Sequence, residues 1–286
     1  MKLWITGANG LLGSALAKKA YLTTSHQEAD ISNLETLRSI IKKHPDITHI
    51  VNCAAQSAVD IAETHKEDTF KANAIGPENL AIIATEINAR LIHISTDYVF
   101  SGEGRVPLKE TDPTNPCNYY GDTKLEGEWR VQKIMPSACI LRTSWIFGKG
   151  GKNFVANLFR LFQEKTTVEL TCDQWGRPTY APDLVSVIYQ LLNASGLYQF
   201  ANQGPTNKYE FGLALREEAL ALGIPLKVEN IIPVSSSKFA SMAQRPVYSV
   251  FDTTKIEQEL NISIRFWRDA LREFLCSINA PSPLCL

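Results

Sequence analysis

The stretch LWITGANGLLG, residues 3–13, constrains this chain more than any other. A short apolar run ends in Thr6, and Gly7, Gly10 and Gly13 follow as a helix-like segment opens at Leu11. A buried strand that turns on glycine straight into a helix is the first step of a parallel βαβ sheet. Glycine permits the tight turn and lets backbone N–H groups approach an anion, and the helix N-terminus adds its positive dipole end. The spacing is GxxGxxG rather than GxGxxG. The strand–turn–helix context therefore carries the inference of a dinucleotide phosphate site, and the glycines alone do not.

The alternation continues through the first half. Strand-like runs at 21–25, 49–55, 90–96 and 138–147 are separated by helix-like segments at 11–20, at 33–44 behind a cap-like Ser32, and across 66–88 around Gly76-Pro77. A loop rich in Pro, Gly and Asn (101–118) precedes a further helix. This order predicts an α/β fold, a Rossmann-type doubly wound parallel sheet with helices on both faces. The second half is less regular. Helices are expected at 152–163, 184–192, 209–222 and 266–275, with a strand then loop across 166–183 and extended segments at 196–202 and 231–235. We read residues 1–147, rejoined by 184–202, as the dinucleotide-binding domain. Residues 148–183 and 203–286 form a smaller mixed α/β C-terminal substrate-binding lobe.

Charge and composition narrow the partners. Among 286 residues, 29 Lys+Arg stand against 30 Asp+Glu, so no basic excess points to nucleic acid. The apolar runs are too short for a membrane span, and MKLWITGANG has no signal-peptide core, which predicts a cytoplasmic protein without membrane contact. Six scattered cysteines without CxxC pairs and five histidines without an HExxH set predict neither a metal site nor a disulfide framework.

The segment NYYGDTKLEGE (118–128) bears two adjacent tyrosines and a lysine. On a helix Tyr120 and Lys124 share a face, whereas Tyr119 diverges from Lys124. An ammonium beside a phenol lowers its pKa toward the range of a general acid, though a plain surface pair has the same spacing. RLIHIST ends in Ser95-Thr96-Asp97-Tyr98, and ligands of open α/β sheets sit beyond such strand ends. An acid about 20 residues past the glycines would select NAD through the ribose 2′-hydroxyl. Strand two ends instead in Thr24, Ser25 and His26, with Asp30 beyond it. NADPH should therefore be admitted, with NADH alongside.

Glycine turn, strand-end hydroxyl, tyrosine and lysine together resemble the extended short-chain dehydrogenase/reductase superfamily. The blocks NCAAQSAVDIAE (52–63), NAIGPENLA (73–81), HISTDYVFSG (93–102), DPTNPCNYYGDTKLEGE (112–128), LRTSWIFGKGGKNFV (141–155), DQWGRPTYAPDL (173–184) and QRPVYSVFDTTKI (244–256) narrow this to the dTDP-4-dehydrorhamnose reductase family. The resemblance implies reduction of the 4-keto group of dTDP-6-deoxy-L-lyxo-4-hexulose to dTDP-L-rhamnose, with Thr96, Tyr120 and Lys124 as catalytic set. It implies a cofactor site of Gly7, Gly10, Leu11, Leu12 and Gly13 at the pyrophosphate, Asp30 and Ile31 at the adenine, and Ala55, Gln56 and Ser57 with Tyr120 and Lys124 at the nicotinamide. It places the deoxysugar among Ser57, Val59, Thr96, Asp97, Tyr98 and Trp145, and the diphosphate end near Asn153 and Arg245.

The chain departs from the family at several points. Ala15 stands where some members carry a metal-binding glutamate at a dimer interface, so a metal-independent monomer or weak homodimer is expected. Ser57 replaces the usual threonine, and the tail SINAPSPLCL has no counterpart. The alternatives are a nucleotide-sugar epimerase or dehydratase, and a non-catalytic homologue resembling the regulatory subunit of some methionine adenosyltransferases.

Overall fold

A computed structural model describes residues 1–151 and 153–279. Five strands, β1 (Leu3–Thr6), β2 (Leu22–Thr24), β3 (His49–Asn52), β4 (Arg90–Thr96) and β5 (Cys139–Thr143), join a sixth at Gly196–Phe200. The order is Gly196–Phe200, β5, β4, β3, β1, β2, and every pairing is parallel. This is the Rossmann-type sheet expected from the strand–helix alternation. The chain reverses direction across the sheet between β1 and β3, which opens a crevice at their carboxyl ends.

Side chains alternate faces along each strand. Leu3 and Ile5 of β1, Val51 of β3 and Ile92 and Ile94 of β4 join one buried cluster with Leu184, Ile188 and Leu191. Trp4, Ile50 and Leu91 enter the opposite cluster with Leu37, Leu80, Ile83 and Val131. That second face is covered by α2 (Leu34–Lys43), which follows the short helix α1 (Leu11–Leu16). It is also covered by two helices that come after α3 (Val59–Thr64) and α4 (Lys66–Phe70), namely α5 (Gly76–Glu86) and α6 (Tyr119–Ile134). A third cluster built on Phe147, Phe162, Phe211, Trp267 and Phe274 is the core of the C-terminal part. Two-stranded pairings there include Asn230–Val234 with Thr167–Thr171.

Several boundaries differ from expectation. The first helix ends at Leu16 and continues as a tighter turn over Ala17–Lys19. The second is capped by Asn33, whose side chain accepts from Thr36 N at 3.1 Å, while Ser32 instead donates to Asp30. Residues 138–147 do not form one strand: the run breaks after Thr143, and Ile146–Phe147 pairs with Thr179–Tyr180 elsewhere. Trp145 at the break has φ +44°, a left-handed conformation that costs an aromatic residue energy. The two helices expected across 66–88 are joined by a π-helical segment, Lys71–Ile75. The helix expected from 152 begins at Phe154; residue 152 and the tail from 280 lie outside the described residues. Cys53, Cys117, Cys139 and Cys172 are free thiols, and Cys276 is disulfide-bonded, one bridge where the sequence predicted no disulfide framework.

Candidate active site

The glycine turn closes the bottom of the crevice. Gly7 adopts φ +68°, and a Cβ there would stand 2.6 Å from Ala54 N at the end of β3. At Gly13 a Cβ would lie 2.2 Å from Gly7 O. Side chains at either point would force the turn away from the first helix. Gly10 caps α1, so Leu11 and Leu12 open its first turn; Leu12 is buried in the core. A cleft of about 570 Å³ runs above this turn. Gly7, Gly10, Asp30, Ile31, Ala55 and Gln56 line it, as expected of a cofactor site. Ser57 is exposed beside them and Val59 opens α3. A cleft floored by glycine backbone at the sheet's crossover fits an extended dinucleotide.

The cleft also takes in His26 and Ser32, and Asn9, Cys53, Asp68 and Lys71, which sequence reasoning did not single out. An acid does fold back onto the end of β2: Glu28 accepts from Ser25 N at 2.8 Å and Ser25 Oγ at 2.7 Å. Its carboxylate is held by these bonds below the usual range. The absence of an acid at 24–26 therefore does not leave that strand end free of negative charge. Asn73, buried in the π-helical segment, accepts from Gln56 N at 2.8 Å and donates to Gln56 O and Thr123 Oγ1. It thus clamps the 55–57 loop to α6. The NAIG block contained it, but no local pattern marks a residue that works across 17 positions.

Helix α6 carries the tyrosine and lysine. Asn118 caps it by accepting from Gly121 N at 2.8 Å, and donates to Gln244 O at 2.7 Å. The helix presses against the turn after β4, since a Cβ at Gly121 would lie 2.2 Å from Tyr98 O. Tyr120 therefore faces this turn. Its ring meets Tyr98 edge-on at 5.7 Å, and its hydroxyl lies close enough to Thr96 for that side chain to oppose the rise in its pKa. Tyr119 turns the other way, its N–H on Glu63 Oε1 and its ring under Lys66. The helical register read from the sequence holds.

The electrostatics differ from the expected pair. Lys124 Nζ donates 2.7 Å to Ile94 O, and burial lowers its pKa to about 8, while Glu128 one turn on works to keep it charged. Burial pushes Tyr120 up to about 12, with Thr96 opposing; Lys124 contributes nothing to that balance. The phenol is a weak acid here, and the predicted ammonium–phenol stabilisation is not made in this structure. His93, buried beside Lys124, is held well below its ordinary range by burial and that cation. Glu128 itself accepts from Ser95 Oγ and from Arg142 at 2.9 and 2.7 Å, a buried pair under the catalytic helix.

Asp97 is 2% exposed, with Thr96 Oγ1 donating to it at 3.1 Å and Ser249 Oγ at 2.6 Å. Burial raises it to about 6. Its oxygens face inward rather than open to a sugar. Trp145 lies two residues past Thr143, which pairs with Thr96 across β5 and β4, so the strained Trp145 sits at the same sheet edge. Asn153 is occupied as a helix cap, accepting from Ala156 N and donating to Gly148 O. Arg245 binds Asp60 through two nitrogens, the shorter contact at 2.6 Å, and its charge acts on Tyr98. Beside it Lys208, unremarked in the sequence, has its pKa lowered by burial and by the Arg245 cation. Two cations thus lie near one carboxylate that pairs with Arg245 alone, an arrangement suited to an anion.

The chain is similar to known proteins over nearly its whole length. Residues 1–279 match the family model described as RmlD substrate binding domain. The chain is 35% identical to dTDP-4-dehydrorhamnose reductase of Aggregatibacter actinomycetemcomitans, covering 95% of this chain and 97% of the other. It is 36% identical to spore coat polysaccharide biosynthesis protein SpsK of Bacillus subtilis, over 96% of each. The crystal structure of dTDP-4-dehydrorhamnose reductase from Bacillus anthracis in complex with NADP superposes with a TM-score of 0.91 at 33% identity, over 97% of this chain and 100% of that one.

Proposed function

The chain belongs to the RmlD substrate-binding-domain family, with full-length relatives that are dTDP-4-dehydrorhamnose reductases, and from that premise we propose that it reduces the 4-keto group of dTDP-6-deoxy-L-lyxo-4-hexulose to dTDP-L-rhamnose. The observation that carries this reading is the meeting of Tyr120, Thr96 and Tyr98 at the sheet edge beside the glycine-floored cleft. When bound, reduced nicotinamide supplies the hydride to C4. Tyr120 gives its phenolic proton to the oxygen that becomes negative, and Thr96 donates a second hydrogen bond to the same atom. Both bonds strengthen as charge develops, so they favour the transition state over the ketone. Lys124 binds the cofactor ribose in this reading. Ser57, Val59, Tyr98 and Trp145 wall the deoxysugar, and Arg245 with Lys208 answers the diphosphate. Residues 1–147 and 184–202 hold the cofactor in this reading, and 148–183 with 203–286 the sugar nucleotide. The enzyme acts in the cytoplasm as a monomer or weak homodimer, and no helix among the described residues is long and apolar enough to cross a membrane.

Oxidation of NADPH and of NADH in the presence of the keto-sugar tests the reading directly. We expect turnover with both and a kcat/KM for NADPH at least equal to that for NADH. Glu28 is engaged by Ser25, and Lys71, paired with Glu67, lines the cleft as the cation that a 2′-phosphate would meet. A preference for NADH of about tenfold or more, worth about 1.4 kcal/mol, would overturn the cofactor assignment.

Metal is expected to play no part, because Ala15 supplies no carboxylate where the family's metal site would be. Rate and sedimentation should be unchanged by EDTA. Dissociation of a dimer on chelation would contradict this.

A further inference from the structure

The block QRPVYSVFD contains a residue that the proposed mechanism leaves unused. Ser249 is 2% exposed and comes from the far end of the chain. Its backbone is tied to both parts of the chain: Ser249 N donates to Trp175 O at 2.8 Å in the C-terminal part, and the neighbouring Tyr248 N donates to Gly102 O at 3.0 Å. From that anchored position its hydroxyl reaches across 152 residues to Asp97 Oδ2 at 2.6 Å. The other carboxylate oxygen of Asp97 accepts from Thr96 Oγ1 at 3.1 Å, and Thr96 Oγ1 also accepts from Tyr98 N at 3.2 Å.

This arrangement exposes a conflict. Thr96 has one hydroxyl proton. In this structure it points at Asp97, yet the reduction needs it on the keto oxygen. A bare buried carboxylate would hold that proton firmly, because a charge with a single donor in a dry site gives it up at high cost. A second strong donor on Oδ2 draws charge away from Oδ1 and loosens its hold.

We propose that Ser249 is a positioning residue for the reduction: its hydroxyl, carried in by the C-terminal lobe, partly satisfies Asp97 and so releases the Thr96 proton to the substrate oxygen. The inference rests on the placement of Thr96 at that oxygen. It gives the lobe a role in the chemistry beyond holding the sugar nucleotide, since a lobe out of register removes Ser249 from Asp97. The titratable groups facing Asp97 are Tyr98 on its own turn, Cys117 before α6 and Tyr120 on α6, all uncharged at neutral pH. No lysine or arginine charge acts on Asp97 among the described residues. Ser249 and Thr96 are the two side chains that oppose the rise caused by burial.

Loss of the Ser249 hydroxyl therefore has two linked effects. Ionised Asp97 grips Thr96 more tightly, and Asp97 protonates at a higher pH. Once protonated, its own O–H donates to Thr96 Oγ1 and the Thr96 proton is free. The defect should thus be large in alkali and vanish in acid.

The test is kcat for Ser249→Ala, Ser249→Thr, Thr96→Val and the Thr96→Val/Ser249→Ala double variant between about pH 5 and pH 9, with NADPH affinity and thermal midpoint measured alongside. We expect Ser249→Ala to lose about tenfold in kcat at the alkaline end, less than the full loss of a transition-state donor. The deficit should close as pH falls, NADPH affinity should hold, and Ser249→Thr should restore the rate. In the Thr96→Val background, Ser249→Ala should cost nothing further. A deficit that ignores pH, that persists in the Thr96→Val background, or that is missing altogether would overturn the proposal. Undiminished kcat in Thr96→Val would instead overturn the catalytic assignment beneath it. If Ser249→Ala does not fold, Ser249→Cys, similar in size and a weaker donor, carries the same comparison.

Discussion

Tyr120→Phe should lower kcat by about 10²–10⁴ while Tyr119→Phe keeps most of the activity. The two residues are neighbours, so composition and local environment in the chain are nearly the same, and only the helical register separates them. Tyr120 meets Tyr98 and lies near Thr96, whereas Tyr119 lies against Glu63 and Lys66 on the outer side of α6. Removing the Tyr120 hydroxyl leaves the ring in its place against Tyr98 and takes away only the proton donor. NADPH binding should therefore survive, and nicotinamide fluorescence would follow it. The phenol's upward shift to about 12 means that it stays protonated throughout the neutral range. Its own ionisation should then leave no step in kcat for reduction between about pH 6 and pH 9. An inactive Tyr119→Phe beside an active Tyr120→Phe would show the register to be wrong.

Glu128→Ala should destabilise the fold by about 3–5 kcal/mol, the usual cost of stranding one partner of a buried ion pair. Glu128 and Arg142 are each 3% exposed in their side chains, and the carboxylate also receives Ser95 Oγ. Without it the guanidinium of Arg142 would keep only the face of Phe100, 5.1 Å away. Glu126→Ala, two residues earlier on the same helix, supplies the contrast. Its partner Arg130 is partly exposed and also binds Glu78, so the change should cost less than about 1 kcal/mol. Urea unfolding of the two variants measures the difference, and equal losses would refute the assignment. Glu128 also sustains the charge on Lys124, one turn back. Residual activity of Glu128→Gln should accordingly fall at lower pH than wild type as Lys124 loses its proton.

Some of this is within reach of the sequence. Glu128 follows Lys124 by four positions, so the two had to share a helix face. Its partners could not be read off, because Ser95 and Arg142 lie on two other strands. Glu28 lies past strand two in the sequence, yet the chain doubles back there and brings it to Ser25. The break at Trp145 follows the polar triplet Arg142-Thr143-Ser144 in ACILRTSWIF, which a strand pattern alone does not mark as an end. The backbone leaves the sheet there to pair Ile146–Phe147 with Thr179–Tyr180, a choice made by distant residues.

What the sequence determined by itself is local. Alternating apolar runs specify the parallel sheet, the glycines after β1 specify a turn too tight for any Cβ, and four-residue spacing puts Tyr120 rather than Tyr119 toward the strand ends. Each follows from geometry within one turn or one strand, where covalent connection limits the outcomes to a few. Only the tertiary structure decided where polar side chains spend their hydrogen bonds. Lys124 went to Ile94 O, Arg245 to Asp60, and Ser249 to Asp97. A buried donor must find an acceptor wherever the packed core offers one, and that choice is made in three dimensions by groups up to 185 residues apart.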